Sequence, residues 1–352
     1  MRLPFIDALK AIASQLIVLH HLAFYGPMSD RAETLAPALF GWLAEHARIA
    51  VQVFLVVGGF LAARTLAPTG TLATTDPLAA IARRYRKLAL PYLAALLLAI
   101  AGTALAGRWM THDSLSAPPQ LGQLLAHALL LHDLLDHEAL SAGVWYVAID
   151  FQLFILFVLL LQLGRGIGRS PTPGIVLVAG LSLLSLFHFN RDAAWDDWGL
   201  YFFGAYGLGA LAYWAGASDR ALRWALLIGT VSGAALLTDF RSRLALALVI
   251  ALALLIARRS ALLGQWPRQR PLAWLGRISY AVFLVHFPVC LVVNAAFVRF
   301  APDDAGVQAL GVLLAWVASV LAGDLFHRHV ETRIDGWGLR LAALLWRPVR
   351  SG

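Results

Sequence analysis

Three places in this chain put proton-handling side chains inside long apolar runs: His20-His21, Asp150 and His286. A charged group in a bilayer core is costly, so each is a candidate functional residue. A carboxylate beside an imidazole raises its basicity and fixes its tautomer. That is the requirement for a general base. His20 and His21 lie about 100° apart on a helix, so only one can face a neighbouring helix squarely. The residues alone leave open which. The helical rise of about 1.5 Å per residue puts His21 roughly 25 Å, and His286 roughly 20 Å, from the start of its own run. Asp150 sits about 9 Å into a run that enters from the other side, hence about 21 Å from the first face of a 30 Å core. The three are therefore expected at similar depth. The plainer alternative is a polar network that holds helices together.

Other residues could bind rather than react. Arg83-Arg84-Tyr85-Arg86-Lys87 stands directly before Leu88-Ala89-Leu90-Pro91. Such a cluster attracts anionic lipid by about 1 kcal/mol per charge, and it can equally grip phosphates. Asp7 and Lys10 are three apart and are expected to pair near a helix end. Gly58-Gly59-Phe60 permits close approach of a helix or a ligand. The segment of about 108–143 holds His112, His127, His132 and His137 among Asp113, Asp133, Asp136 and Glu138. Its spacing is a weak metal signature, and a solvated loop with an interfacial helix is the expected reading. No metal site is expected. Cys290 is the only cysteine, so no internal disulfide can form, and its apolar neighbours point to packing.

These groups need elements to hold them. The chain has 352 residues, 60% hydrophobic and 14% charged, with a mean hydropathy of +0.72. A soluble globular chain is about half apolar and a quarter charged, so this composition points away from one and toward a polytopic membrane protein. Ten spans of roughly membrane-crossing length are expected: 4–25, 47–66, 88–107, 144–163, 174–189, 198–215, 221–238, 243–257, 273–298 and 307–326. Pro91 is expected in the first turn of the third, where its missing N–H costs little. The fold class is thus an all-α bundle of about ten transmembrane helices.

The net charge of +8 fits membrane topology better than nucleic acid, because the arginines fall between the spans. With the N-terminus cytoplasmic, the outer loops hold only Arg31, Arg48, Arg108, Arg191, Arg241, Arg243 and Arg299 of the 28 basic residues. Both termini are then expected in the cytoplasm. Asp7, Lys10 and the histidines interrupt the first run, so it is read as a retained span and not a signal peptide. Residues 1–335 form the membrane domain. Residues 336–352, with Trp337, Leu341, Leu344, Leu345 and Trp346 between arginines, are expected to form an amphipathic cytoplasmic tail.

Several motifs, taken in order, resemble acyltransferase family 3, membrane enzymes that acylate glycans and related acceptors. Asp7, Lys10 and His21 resemble the family's opening helix, and this register selects His21 over His20. Val53–Phe60 resembles its Phe-Phe-…-Ser-Gly-Phe segment, with Gly58 at the serine. Arg83–Lys87 before Pro91 resembles its basic run. Trp145–Phe154 resembles Trp-x-Leu-x-x-Glu-x-Gln-Phe-Tyr, with Asp150 at the glutamate. Leu275–Pro288 is similar to Leu-Gly-x-Ile-Ser-Tyr-x-x-Tyr-Leu-x-His-x-Pro, with His286 at the histidine, and Val330-Glu331 resembles the closing pair. The resemblance implies acetyl-CoA or another acyl-CoA as donor, held by Arg83, Arg84, Arg86, Lys87 and Lys10. It implies His21, Asp150 and His286 as catalytic residues. It also implies a carbohydrate or lipid-linked glycan acceptor. The short loops and arginine-rich composition suit a bacterial inner membrane, with membrane lipid as surroundings and no nucleic acid partner. The alternative from buried His and Asp is a proton-coupled exporter or flippase for a polysaccharide or lipid.

Overall fold

The computed structural model describes residues 2–168 and 170–334. Among these, ten helices reach 16 residues or more: α1 (Pro4–Phe24), α2 (Val51–Leu66), α3 (Pro77–Ala106), α4 (Trp145–Ile167), α5 (Thr172–Phe187), α6 (Gly199–Ala217), α7 (Ala221–Thr238), α8 (Ser242–Arg259), α9 (Arg270–Phe300) and α10 (Ala305–Phe326). Their starts follow local chemistry. Pro4, Pro77, Pro173 and Pro271 occupy first-turn positions whose N–H needs no partner. The carboxylates of Asp76 and Asp304 cap α3 and α10, accepting from the Ala79 and Val307 amides at 2.9 and 3.1 Å.

Among the described residues, eight helical runs are long and apolar enough to cross a membrane. Helices α6 and α8 occupy the other two expected spans, 198–215 and 243–257, and fall outside these eight. Helix α8 carries Arg243, Arg258 and Arg259. Helix α6 is rich in glycine and tyrosine and is buried on nearly every side, so its neighbours, not lipid, decide its composition. It packs against α2, α5 and α8. A Cβ at Gly59 would run into the Tyr206 carbonyl, and one at Gly209 into the Val56 carbonyl. The α2 and α6 backbones therefore touch directly. Between apolar helices in lipid, this kind of close packing replaces the hydrophobic effect as the source of association.

Helix α9 packs against α1, α3 and α10, and α4 joins this group to the one around α6. Gly276 of α9 meets the Asp7 backbone of α1 with no space for a Cβ. Two expectations need correction here. Helix α3 begins at Pro77, so Pro91 lies inside it and not in its first turn. Its missing N–H leaves the Lys87 carbonyl without the usual helical donor. The segment 108–143 is also not a solvated loop throughout. A helix is present as expected, Leu121–Ala128, but His127 and His132 are fully buried. The Tyr92 hydroxyl donates to His127 Nδ1 at 2.6 Å, and Tyr85 donates to the Ala128 carbonyl at 2.6 Å. Two α3 side chains thus pin the segment onto the bundle. Among the described residues, no three His, Cys, Asp or Glu side chains gather around one point suited to an ion. Cys290 is buried, as expected of a packing residue. The amphipathic tail, 336–352, lies outside the described residues.

Candidate active site

Helix α1 delivers both histidines, and the rotation between them separates their roles. His20 Nδ1 donates to the Leu43 carbonyl at 3.0 Å, which ties α1 to the short helix Pro37–His46. His21 turns the other way, and its Nδ1 lies 2.6 Å from His286 Nε2 of α9. The two ring planes are within 6° of each other, with centroids 4.9 Å apart. At so short a nitrogen–nitrogen distance, the rings meet edge to edge in one plane instead of face to face.

The backbone decides which nitrogen carries each proton. His286 Nδ1 faces the Phe283 carbonyl at 2.8 Å and the Val282 carbonyl at 3.1 Å. Carbonyl oxygens only accept, so His286 Nδ1 carries a hydrogen. Neutral His286 must then accept at Nε2, which makes His21 the donor through Nδ1–H. The lone pair of His21 is left on Nε2, which makes no hydrogen bond among the described residues. His21 is 8% exposed and His286 is fully buried. The arrangement is a base whose tautomer is fixed by a second histidine, itself fixed by a helix backbone.

Asp150 does not join this pair. Its carboxylate is held by the Arg84 guanidinium of α3 in a short ion pair. Arg84 also lies over the Phe154 ring, 5.4 Å from its centroid. Helical rise placed Asp150 at the right depth, but the rotation of α4 aims it at α3. Arg84 Nε is buried and has no hydrogen-bond partner among the described residues. An unmet donor in a dry place is costly, so this guanidinium has capacity for one more acceptor.

Arg84 and Asp150 line a cavity of about 360 Å³ formed by α1, α2, α3, α4, α9 and the π-helical turn His327–Glu331 after α10. Lys10, Lys87 and Arg277 also line it, opposite Glu331 and His327. His327 Nδ1 donates to Glu331 Oε2 at 2.9 Å. Lys10 makes no ion pair with Asp7 among the described residues. Instead it faces the cavity, a second departure from expectation. The basic run divides by helical rotation. Arg84 and Lys87, three apart, share the cavity wall, whereas Arg83 and Arg86 are exposed and do not line it.

Gly58 also lines the cavity. A Cβ there would sit 3.2 Å from the Tyr206 ring and 3.6 Å from Asp150 Oδ1, so a hydroxyl at this position would meet the carboxylate. Arg277, Tyr280, Phe283, Tyr146 and Glu331 were not singled out from the sequence as site residues. Arg277, Tyr280 and Phe283 recur every three residues along one α9 stripe. That spacing was a readable signal. Tyr280 donates to the Leu88 carbonyl at 2.9 Å, locking α9 to α3 beside the cavity.

A buried histidine with a free lone pair, beside a cation-lined cavity, is equipped for proton-assisted group transfer. No curated protein and no solved structure matches the chain. The family model described as an acyltransferase domain, that of acyltransferase family 3, matches residues 3–327, nearly the whole length, and the chain belongs to that family.

Proposed function

We propose that the chain is an O-acyltransferase of the bacterial inner membrane, with ten spans and both termini cytoplasmic. In this reading it moves an acetyl group from acetyl-CoA, or a related acyl group from its CoA thioester, to a hydroxyl of a carbohydrate or lipid-linked glycan. The observation that carries the reading is the tautomer of the histidine pair. His21 Nε2 takes the proton of the acceptor hydroxyl as its oxygen attacks the thioester carbonyl. A C–O bond forms, the C–S bond breaks, and the imidazolium returns its proton to the departing thiolate. His286 Nε2 accepts from His21 Nδ1–H throughout, and this hydrogen bond strengthens while His21 is charged.

Lys10, Lys87 and Arg277, with the spare Nε of Arg84, offer positive charge for the donor's phosphates. Asp150 acts through Arg84, by holding the guanidinium at the cavity wall. With the N-terminus cytoplasmic, as proposed, the end of the cavity with Lys10 and Arg277 would open toward the cytoplasm, where acyl-CoA is found. His21 lies deeper, on the side from which an exported glycan would approach.

The test uses membranes containing the protein or its His21→Ala variant, supplied with labelled acetyl-CoA. Label is followed into glycan, lipid and water-soluble fractions. Transfer that requires His21 is the expected result, and the labelled fraction identifies the acceptor class. Undiminished transfer by His21→Ala at equal expression would overturn the role of His21. No transfer by either protein, with a flux that depends on a pH gradient, would favour the exporter reading.

A further inference from the structure

The cavity and the histidine pair lie next to each other, yet they are separated by side chains. Phe283 and Tyr146 line the cavity, and neither His21 nor His286 does. The two aromatic rings meet edge to face with centroids 5.5 Å apart. The Phe283 ring also lies 6.2 Å from the His286 ring. Above both sits Gly143, at φ +80°. A Cβ at Gly143 would be 3.2 Å from the Phe283 ring and 3.6 Å from His21 Cε1. The phenyl ring and the imidazole therefore share one small space under a glycine that needs its left-handed conformation.

We propose that Phe283 is a partition between the cation-lined cavity and His21, and that its ring limits the transferred acyl group to a short chain. The proposal rests on the acyltransferase reading for its second half only. An acyl group that leaves the cavity toward His21 Nε2 must displace the phenyl ring or pass beside it. The backbone of Phe283 can stay fixed while the ring turns, because its carbonyl holds His286 Nδ1–H. The catalytic tautomer is thus insulated from the movement of the side chain attached to the same residue. A longer chain would need the volume that the ring fills, and each added methylene in an apolar site changes discrimination by about tenfold or more.

Two measurements test this. The first uses accessibility and needs no turnover. His21→Cys is made in a Cys290→Ala background, with and without Phe283→Ala, and labelled with a small charged methanethiosulfonate applied to each membrane face in turn. The partition predicts at least tenfold faster labelling in the Phe283→Ala protein, and only from the face bearing Lys87 and Arg277. Unchanged labelling, or equal acceleration from both faces, overturns it. Phe283→Leu serves as the second variant if the alanine protein fails to reach the membrane.

The second measurement compares acetyl-CoA and butyryl-CoA as donors for the protein with native His21. Phe283→Ala should raise the butyryl-to-acetyl ratio about tenfold. Loss of both activities in equal measure would overturn the chain-length role. If the unmodified protein transfers no acyl group from any donor, the acyltransferase reading fails, and labelling still decides whether Phe283 separates the two spaces.

Discussion

At the residue scale, the decisive atom is His286 Nε2, because it dictates where His21 keeps its lone pair. Replacing His286 by leucine removes the acceptor and frees the imidazole to change tautomer. The expected loss in kcat is about 100-fold, the low end for removing a general-base contribution. Glutamine retains a side-chain oxygen able to accept, so His286→Gln should recover part of that loss. A purely packing role would rank the two variants the other way, since leucine suits the apolar surroundings better. The cations offer a separate test. Lys87→Gln and Arg277→Gln should each raise the donor KM about tenfold with little change in kcat, as expected when one charge-assisted contact of about 1.4 kcal/mol is lost. Arg83→Gln and Arg86→Gln should leave it within about twofold, because both side chains point away from the cavity. Membrane assays with varied acyl-CoA measure all four. Much of this site was legible in the sequence. Type and depth marked His20-His21 and His286, the family register chose His21 of the two, and His21 and His286 do meet. Asp150 was found, but its partner was not. Depth follows from counting residues, whereas pairing across helices depends on the rotation of each helix about its axis.

At the element scale, the segment between α3 and α4 shows how far composition can mislead. Its many His and Asp residues suggest water, yet His132 is fully buried against His127, with ring centroids 4.1 Å apart. Among the described residues neither ring nitrogen of His132 makes a hydrogen bond, although Nε2 lies 3.4 Å from Asp133 Oδ2. Burial, then the neighbouring His127 and His137, pushes its pKa down to about 3. An unfolded histidine takes up its proton near pH 6.5. Between these values the unfolded chain binds a proton that the folded one refuses, so stability falls as pH drops below about 6.5. Asp133 acts in the opposite sense. Burial and the charges of Asp197 and Asp196 raise it to about 6, so the folded chain regains some proton binding between about pH 6 and 4. The net acid sensitivity is therefore partial. His132→Phe keeps a flat ring and removes a buried Nδ1 that makes no hydrogen bond, at a cost of about 1–3 kcal/mol, while giving up only the long 3.4 Å approach of Nε2 to Asp133. Thermal unfolding in detergent should show a higher Tm for this variant at neutral pH and a shallower decline toward pH about 5. A lower Tm at neutral pH would mean that His132 has a partner the protein cannot spare. Arg241 is the contrasting case, a buried charge fully employed. It donates to the Leu186 and Ala235 carbonyls near the ends of α5 and α7 and to Asn190 Oδ1, at 3.0, 3.3 and 2.8 Å. Orphaned C-terminal carbonyls need such donors, so Arg241→Ala should lower the Tm more than Arg243→Ala, whose side chain spares the helix-end carbonyls.

At the scale of the whole molecule, the arrangement depends on which face of the membrane each end of the bundle meets. The apolar runs announced the ten long helices because lipid demands apolar length. They announced α6 and α8 less plainly. Helix α6 is surrounded by protein, so glycine and tyrosine replace aliphatic residues. Arginines at both ends of α8 shorten its apolar stretch. Orientation was argued from charge alone, and the cavity now supplies a second reason. Lys10, Lys87 and Arg277 line it toward the end of the bundle where α1 and α9 begin, and under the proposed function a CoA-bearing donor would reach it from the cytoplasm. Both arguments predict the same labelling pattern. In a Cys290→Ala background, Arg83→Cys should react with an impermeant maleimide only in inverted vesicles, and Asp136→Cys only in intact cells. Both native side chains lie on the surface, so either cysteine should be reactive once its face is reached. Arg83 precedes Arg84 by one residue, so its sidedness also fixes the side from which the cavity fills. If Arg83→Cys reacted from the outside, the positive-inside count and the donor's route would fail together. His21 would then face the cytoplasm, and a cytoplasmic acceptor would become the one to seek.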